Sequence, residues 1–142
     1  RARPEYPENS EAAKLNLQYV IAFSLANGAP NLDSFADAAR NDPRVQKLAS
    51  RVSVSIAPEF ADARGHYPTR LQVTMRDGDA FGEVRTQPRG ASDFPLSMLQ
   101  IDDKFINCAT QTITHEAAKT LLSVLKSLDE QSGFDELWPL LQ

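Results

Sequence analysis

Cysteine, histidine and long apolar runs are all scarce in this chain, and each scarcity removes a class of protein from consideration. A single thiol, Cys108, closes no intramolecular disulfide, so packing has to hold the fold, in keeping with a reducing, cytoplasmic setting. Two histidines and one cysteine are too few for an ordinary zinc site. No stretch approaches the ~18 consecutive apolar residues of a membrane helix, and the start carries no apolar signal core, so no membrane is expected as a partner. There is no basic excess either. Lys and Arg total 15 against 19 Asp and Glu, a net charge of -4, and the cations are scattered rather than striped, which argues against nucleic acid. The loops at 58–68 and 88–95 contain Pro58, Gly65 and Pro68, and Pro88, Gly90 and Pro95, without the glycine spacing of a phosphate cradle.

What remains is a chain of 142 residues, 42% hydrophobic and 24% charged, the size and composition of one globular domain with its own core. Its first residues, Arg1-Ala2-Arg3-Pro4, include no initiating Met and read as an internal cut in a longer polypeptide.

Thr69 to Thr86 predicts a β-hairpin turning at Asp77-Gly78. A type I′ loop there sets Arg76 opposite Asp79, Met75 opposite Ala80, Val73 opposite Gly82 and Leu71 opposite Val84. One face is then apolar and the other carries Gln72, Thr74, Phe81 and Glu83, so helices are expected to cover the apolar side. Before the hairpin, Val52, Val54 and Ile56 alternate with Arg51, Ser53 and Ser55 at strand period and predict a further strand, for about three in all.

Helices surround this sheet in sequence. Asn9 or Ser10 can cap one that runs to about Asn27 and stops at Gly28 and Pro30; from Tyr19 to Ala26 it is apolar almost all the way round. Asp33 caps a short helix, and Asp42-Pro43 starts another with Val45, Leu48 and Ala49 on its buried stripe. Ser97 and Gln100 form a capping box ahead of Met98, Ile101, Phe105, Cys108 and Ala109 at helical spacing. Thr114 caps a helix with Ala118, Leu121, Leu122, Leu125 and Leu128 on one side, and a last short helix carries Leu137, Trp138, Leu140 and Leu141. The expected class is α+β, a small antiparallel sheet packed on helices, with a lid-like region at 1–97 and a C-terminal helical segment at 98–142.

Residues able to do chemistry are few. His66, in a loop between Gly65 and Tyr67, has the reactivity of an acid or base but no partner in sequence, and reads as a surface residue. His115 falls at the first turn of a helix, where the dipole disfavours imidazolium. Asp102 and Asp103 are adjacent on a helix and point about 100° apart, poor geometry for a shared proton or metal. Cys108 sits on an apolar stripe with no basic neighbour, which predicts a buried, inert thiol. Lys14 stands out: in a helix beginning at residue 10 it carries positive charge into the first turn, where the dipole already places some, although pairing with Glu11 at i,i+3 is the plainer explanation.

The order of these pieces resembles a known family. A helix that starts Leu15-Asn16-Leu17-Gln18-Tyr19-Val20 and ends Ala26-Asn27-Gly28 is followed by Phe35, Asp42-Pro43-Arg44-Val45-Gln46-Lys47-Leu48 and Val52. Then come Val73-Thr74-Met75-Arg76-Asp77-Gly78, Gly90, Pro95-Leu96-Ser97 and Lys104-Phe105. Over roughly residues 7 to 142 this is similar to the C-terminal part of the MmgE/PrpD family, which includes 2-methylcitrate dehydratase, cis-aconitate decarboxylase and iminodisuccinate epimerase. The resemblance implies a large helical domain preceding an α+β lid, homo-oligomers, and cofactor-independent lyase or isomerase chemistry on small di- and tricarboxylic acids. It also implies that the catalytic Asp, Thr, His, Lys and Tyr positions precede Arg1, so no catalytic residue is assigned here. Lys14, in a segment that often reads Lys-Phe-Ser, is implied with Asn16 and Tyr19 at the edge of a substrate site. The alternative is a stand-alone α+β binding or assembly module.

Overall fold

Asn9 starts the first helix because its side chain accepts the open backbone N–H of Ala12 at 2.8 Å while its own backbone stays extended. The computed structural model describes residues 6–63, 68–130, 133 and 137–141, without the side chains of Leu140 and Leu141. Among these the helices are α1 (Ser10–Lys14), α2 (Leu17–Asn27), α3 (Asp37–Arg40), α4 (Pro43–Ala49), α5 (Met98–Ala109) and α6 (His115–Lys126). Two strands, β1 (Thr69–Thr74) and β2 (Ala80–Arg85), form one antiparallel sheet. The class is α+β, as expected. The backbone divides into two units, Arg1–Ser55 with Phe105–Gln142, and Ile56–Lys104.

The first unit is built on α2 and α4. Tyr19, Ala22, Val45 and Ala49 bury together with Ala13 of α1, and Tyr6, Phe23, Phe35 and Leu48 pack around them. Tyr19 is at the centre of an aromatic group, edge-on to Tyr6 at 5.9 Å between ring centroids and tilted against Phe23 and Phe35. Pro43 at the first position of α4 and the Asp42 carboxylate, which accepts the Arg44 N–H at 2.8 Å, start that helix as the sequence indicated. The single helix expected from residue 9 or 10 to 27 is instead two. Asn16 takes an extended backbone and its side chain accepts the Tyr19 N–H at 2.9 Å, capping α2 and breaking the run after Lys14. Gly28, at φ 91°, ends α2 in a conformation that a side chain disfavours.

In the second unit the hairpin forms in a different register from the one expected. Thr74 faces Ala80, Val73 faces Phe81, Leu71 faces Glu83 and Arg70 faces Val84. A type I′ loop needs positive φ at both Asp77 and Gly78, and only Gly78 has it, at 98°. The Gly78 N–H therefore bonds the Met75 carbonyl, and the Met75 N–H bonds Asp79 at 2.7 Å, which leaves a three-residue loop. Slipping by one residue puts Leu71 and Val84 on opposite faces, so the single apolar face of the expected register does not exist. Leu71, Met75, Phe81 and Val84 are exposed.

The expected strand at Val52–Ile56 is also absent. Alternation marks a strand only where a partner edge lies alongside, and the described sheet has two strands; Ile56 is 92% exposed. The Ser97–Gln100 capping box does form, the Ser97 N–H donating to Gln100 Oε1 at 3.0 Å and the Gln100 N–H to Ser97 Oγ at 3.3 Å. Thr114 caps α6 through the Ala117 N–H, and Ala118 and Leu121 are its buried residues. The chain's last described turn is Trp138–Leu141, with Trp138 exposed.

Candidate functional site

The start of α2 is the most chemically uneven place in the first unit. A helix leaves its first N–H groups without intrahelical acceptors. Here the Asn16 side chain takes the Tyr19 N–H, while the Leu17 and Gln18 N–H groups have no acceptor among the described residues. The first turn carries no acidic side chain to balance the positive end of the dipole. Beside it opens a groove of about 410 Å³ lined by Tyr6, Asn16, Gln18, Gln46, Ser50 and Val52. Gln18 is only 8% exposed, yet its primary amide makes no hydrogen bond to a described residue. Among the described residues no Asp or Glu side chain lines the groove.

Its other walls are held in place by neighbours. The Tyr6 hydroxyl donates to the Arg40 carbonyl at 2.6 Å, the Arg40 guanidinium returns a bond to the Pro7 carbonyl at 3.2 Å, and its other end pairs with Asp37. These bonds clasp Tyr6 and Pro7 to α3. Ser50 Oγ donates back to the Lys47 carbonyl at 2.9 Å. Burial pushes the Tyr6 phenol above its ordinary value, with Tyr19 adding to the effect and the Arg40 charge opposing it. Tyr6 is therefore a neutral hydroxyl at neutral pH. On the far side of α4's start, hydrogen bonds from Arg44 hold the Asp42 carboxyl below the usual carboxylate range, so that cap stays ionised.

The three residues implied at a site edge do not converge. Asn16 lines the groove while it caps α2. Lys14 ends α1 rather than opening a longer helix, so its charge sits at the favourable end of the dipole, and its Nζ bonds Glu11 at 2.7 Å. The electrostatic misplacement inferred from sequence is thus removed by the break at Asn16. Tyr19 is fully buried and its hydroxyl donates to the Ser34 carbonyl.

Of the remaining candidates, His66 lies outside the described residues. His115 is exposed at the start of α6, and Asp103 is exposed on α5. Cys108, expected to be buried, is exposed, because the stripe on which it lies is itself largely open, with Met98 and Ile101 exposed too. Among the described residues no group of three or more His, Cys, Asp or Glu could hold a metal, and no helix is long and apolar enough to cross a membrane. Sequence reasoning missed Gln18, Tyr6 and Arg40. Asn16 was the available signal, since an Asn two residues after a Lys at a helix end and ahead of an apolar run is a cap in waiting; nothing local marks a buried arginine.

Residues 2–130 match the model of the MmgE/PrpD C-terminal domain, and the chain belongs to that family. Two curated relatives, the cis-aconitate decarboxylases of Homo sapiens and Mus musculus, are each 25% identical to it over 137 residues. The match covers 96% of this chain and 28% of each relative's length.

Proposed function

We propose, taking membership of the MmgE/PrpD family as the premise, that this chain is the lid portion of a cofactor-independent lyase or isomerase of small di- or tricarboxylic acids. The observation that carries the reading is the combination of a family match across residues 2–130 with relatives that are more than three times as long. In this reading a preceding helical domain holds the groups that move protons, and the chain contributes shape and water exclusion over a bound acid. Lys14 and Asn16 keep enough access to stand at the edge of that acid, and Tyr19 supports them from the core. The single thiol suits a cytoplasmic enzyme.

The chain by itself is expected to be inactive. Purified protein should neither decarboxylate cis-aconitate nor dehydrate 2-methylcitrate, whereas a continuous polypeptide that adds the preceding helical region from the same gene should turn over one such acid. Turnover by the isolated chain that disappears in His66→Ala or His115→Ala would transfer the chemistry to these residues. Silence from the longer polypeptide would favour a binding or assembly module.

Self-association is expected as well. Leu15, Leu17, Leu25 and Trp138 are exposed apolar side chains of the first unit, and a surface that normally meets another domain or a second copy has this composition. Burying even ~500 Å² of apolar area per partner is worth roughly 12 kcal/mol before association entropy is subtracted. Light scattering should give a mass above 15.7 kDa at micromolar concentration. A strict monomer that binds no hydrophobic dye would count against both the lid and the oligomer.

A further inference from the structure

We propose that Arg40 is a positioning residue, a buried clasp that fixes the path of the chain at Tyr6 and Pro7, where the lid receives the polypeptide that precedes it. The clasp closes in both directions. Arg40 Nη1 donates to the Pro7 carbonyl at 3.2 Å, and the Tyr6 hydroxyl donates back to the Arg40 carbonyl at 2.6 Å. The partners stand 33 and 34 residues apart in sequence, so these bonds fix tertiary placement and not local helix geometry. Pro7 is buried with its φ set by the ring, Tyr6 lies edge-on to Tyr19 at 5.9 Å, and Asn9 then caps α1. The course of the chain from Tyr6 into α1 is thus held by the stiffness of Pro7 and by bonds on either side of it.

Arg40 is ill suited to a purely stabilising role. The residue is 7% exposed, its counter-ion Asp37 is open to solvent, and its Nε is buried with no hydrogen-bond partner among the described residues. A buried charge with one donor unsatisfied gives up hydration that a solvent-facing carboxylate does not restore, and an apolar side chain of similar volume generally does as well or better. Orientation is what the guanidinium supplies. Its planar fork reaches Pro7 with one nitrogen and Asp37 with another, a geometry that neither methionine nor lysine reproduces. Arg40 closes α3, and its carbonyl also accepts from the Gln46 side chain at 3.4 Å, so the clasp ties the entering segment to α3 and through it to α4. The inference rests on the lid reading for its consequence: a lid that closes over a bound acid has to enter its fold at a fixed place, while the groups that move protons lie elsewhere.

Two measurements separate the clasp from the lid. On this chain, the nuclear Overhauser contact between the rings at positions 6 and 19 should weaken in Arg40→Met and in Tyr6→Phe, each of which removes one bond of the clasp, and disappear when the two are combined. The urea midpoint of Arg40→Met should equal or exceed that of the wild type. In the longer polypeptide, Arg40→Met should raise KM for the acid about fivefold or more with kcat within about twofold of wild type, because a loosened lid closes less often over substrate while the proton-moving groups are untouched. Arg40→Lys, which keeps the charge without the fork, should recover part of that loss. A ring contact that survives in the combined variant, or an Arg40→Met protein that loses its fold, makes Arg40 an ordinary core residue and overturns the proposal. An unchanged KM, or a loss confined to kcat, overturns the positioning role. A wild-type longer polypeptide that turns over no acid removes the lid reading instead, and the clasp is then judged on the ring contact and the urea midpoint.

Discussion

Val45→Asp is expected to unfold the first unit, while Val73→Asp leaves the chain folded. Val45 is fully buried on α4, in one apolar cluster with Tyr19 and Ala22 of α2. Placing an unpaired charge there costs on the order of 5 kcal/mol or more, which is comparable with the whole stability of a small domain. Val73 occupies a half-buried position in a hairpin whose other residues are exposed, so a carboxylate there keeps most of its water, and the cost should stay near 1 kcal/mol. Urea denaturation compares the two directly. Equal destabilisation would mean that the hairpin carries a buried face after all.

Tyr19→Ala should cost about 3–5 kcal/mol, the range for truncating a large buried aromatic side chain. The ring fills the centre of the aromatic group with Tyr6, Phe23 and Phe35, and these residues cannot close the space without moving α2 against α4. Tyr19→Phe separates the hydroxyl from the ring. It leaves the packing and removes the donor to the Ser34 carbonyl, for an expected loss of about 1 kcal/mol. A Phe variant as unstable as the Ala variant would show that the hydroxyl, not the ring, holds the core.

The same hydroxyl gives the fold an alkaline limit. Burial raises the Tyr19 phenol, with the Arg40 charge opposing, and raises Tyr6 likewise. An unfolded phenol titrates near pH 10, so above that pH the unfolded chain has released protons that the native chain still holds. The stabilisation is fully present below about pH 10 and is lost as pH rises through the higher native values. The urea midpoint should therefore fall above pH 10, and fall less steeply when Tyr6 and Tyr19 are both Phe.

Much of the helical framework was legible in the sequence because it depends on neighbours in the chain. Asn9, Asp42-Pro43, the Ser97–Gln100 box and Thr114 each close a hydrogen bond within a few residues, and Gly28 ends its helix through its own dihedral freedom. The family was legible too, in the order of those pieces. Tertiary context decided the rest. Asn16 broke one expected helix into two by capping the second, a choice between two locally acceptable structures that is settled by burying Ala13 and Tyr19 in one core. The hairpin register turned on whether Asp77 would adopt positive φ, and its refusal moved every side chain of one strand to the other face. Cys108 followed the same rule, since an apolar stripe is only as buried as what covers it. The groove rests on Gln18 and Tyr6, twelve residues apart and brought together with Gln46 by the α2–α4 packing. Sequence sets which backbone groups are satisfied locally, but which polar side chain is buried without a partner depends on surfaces that meet only after folding.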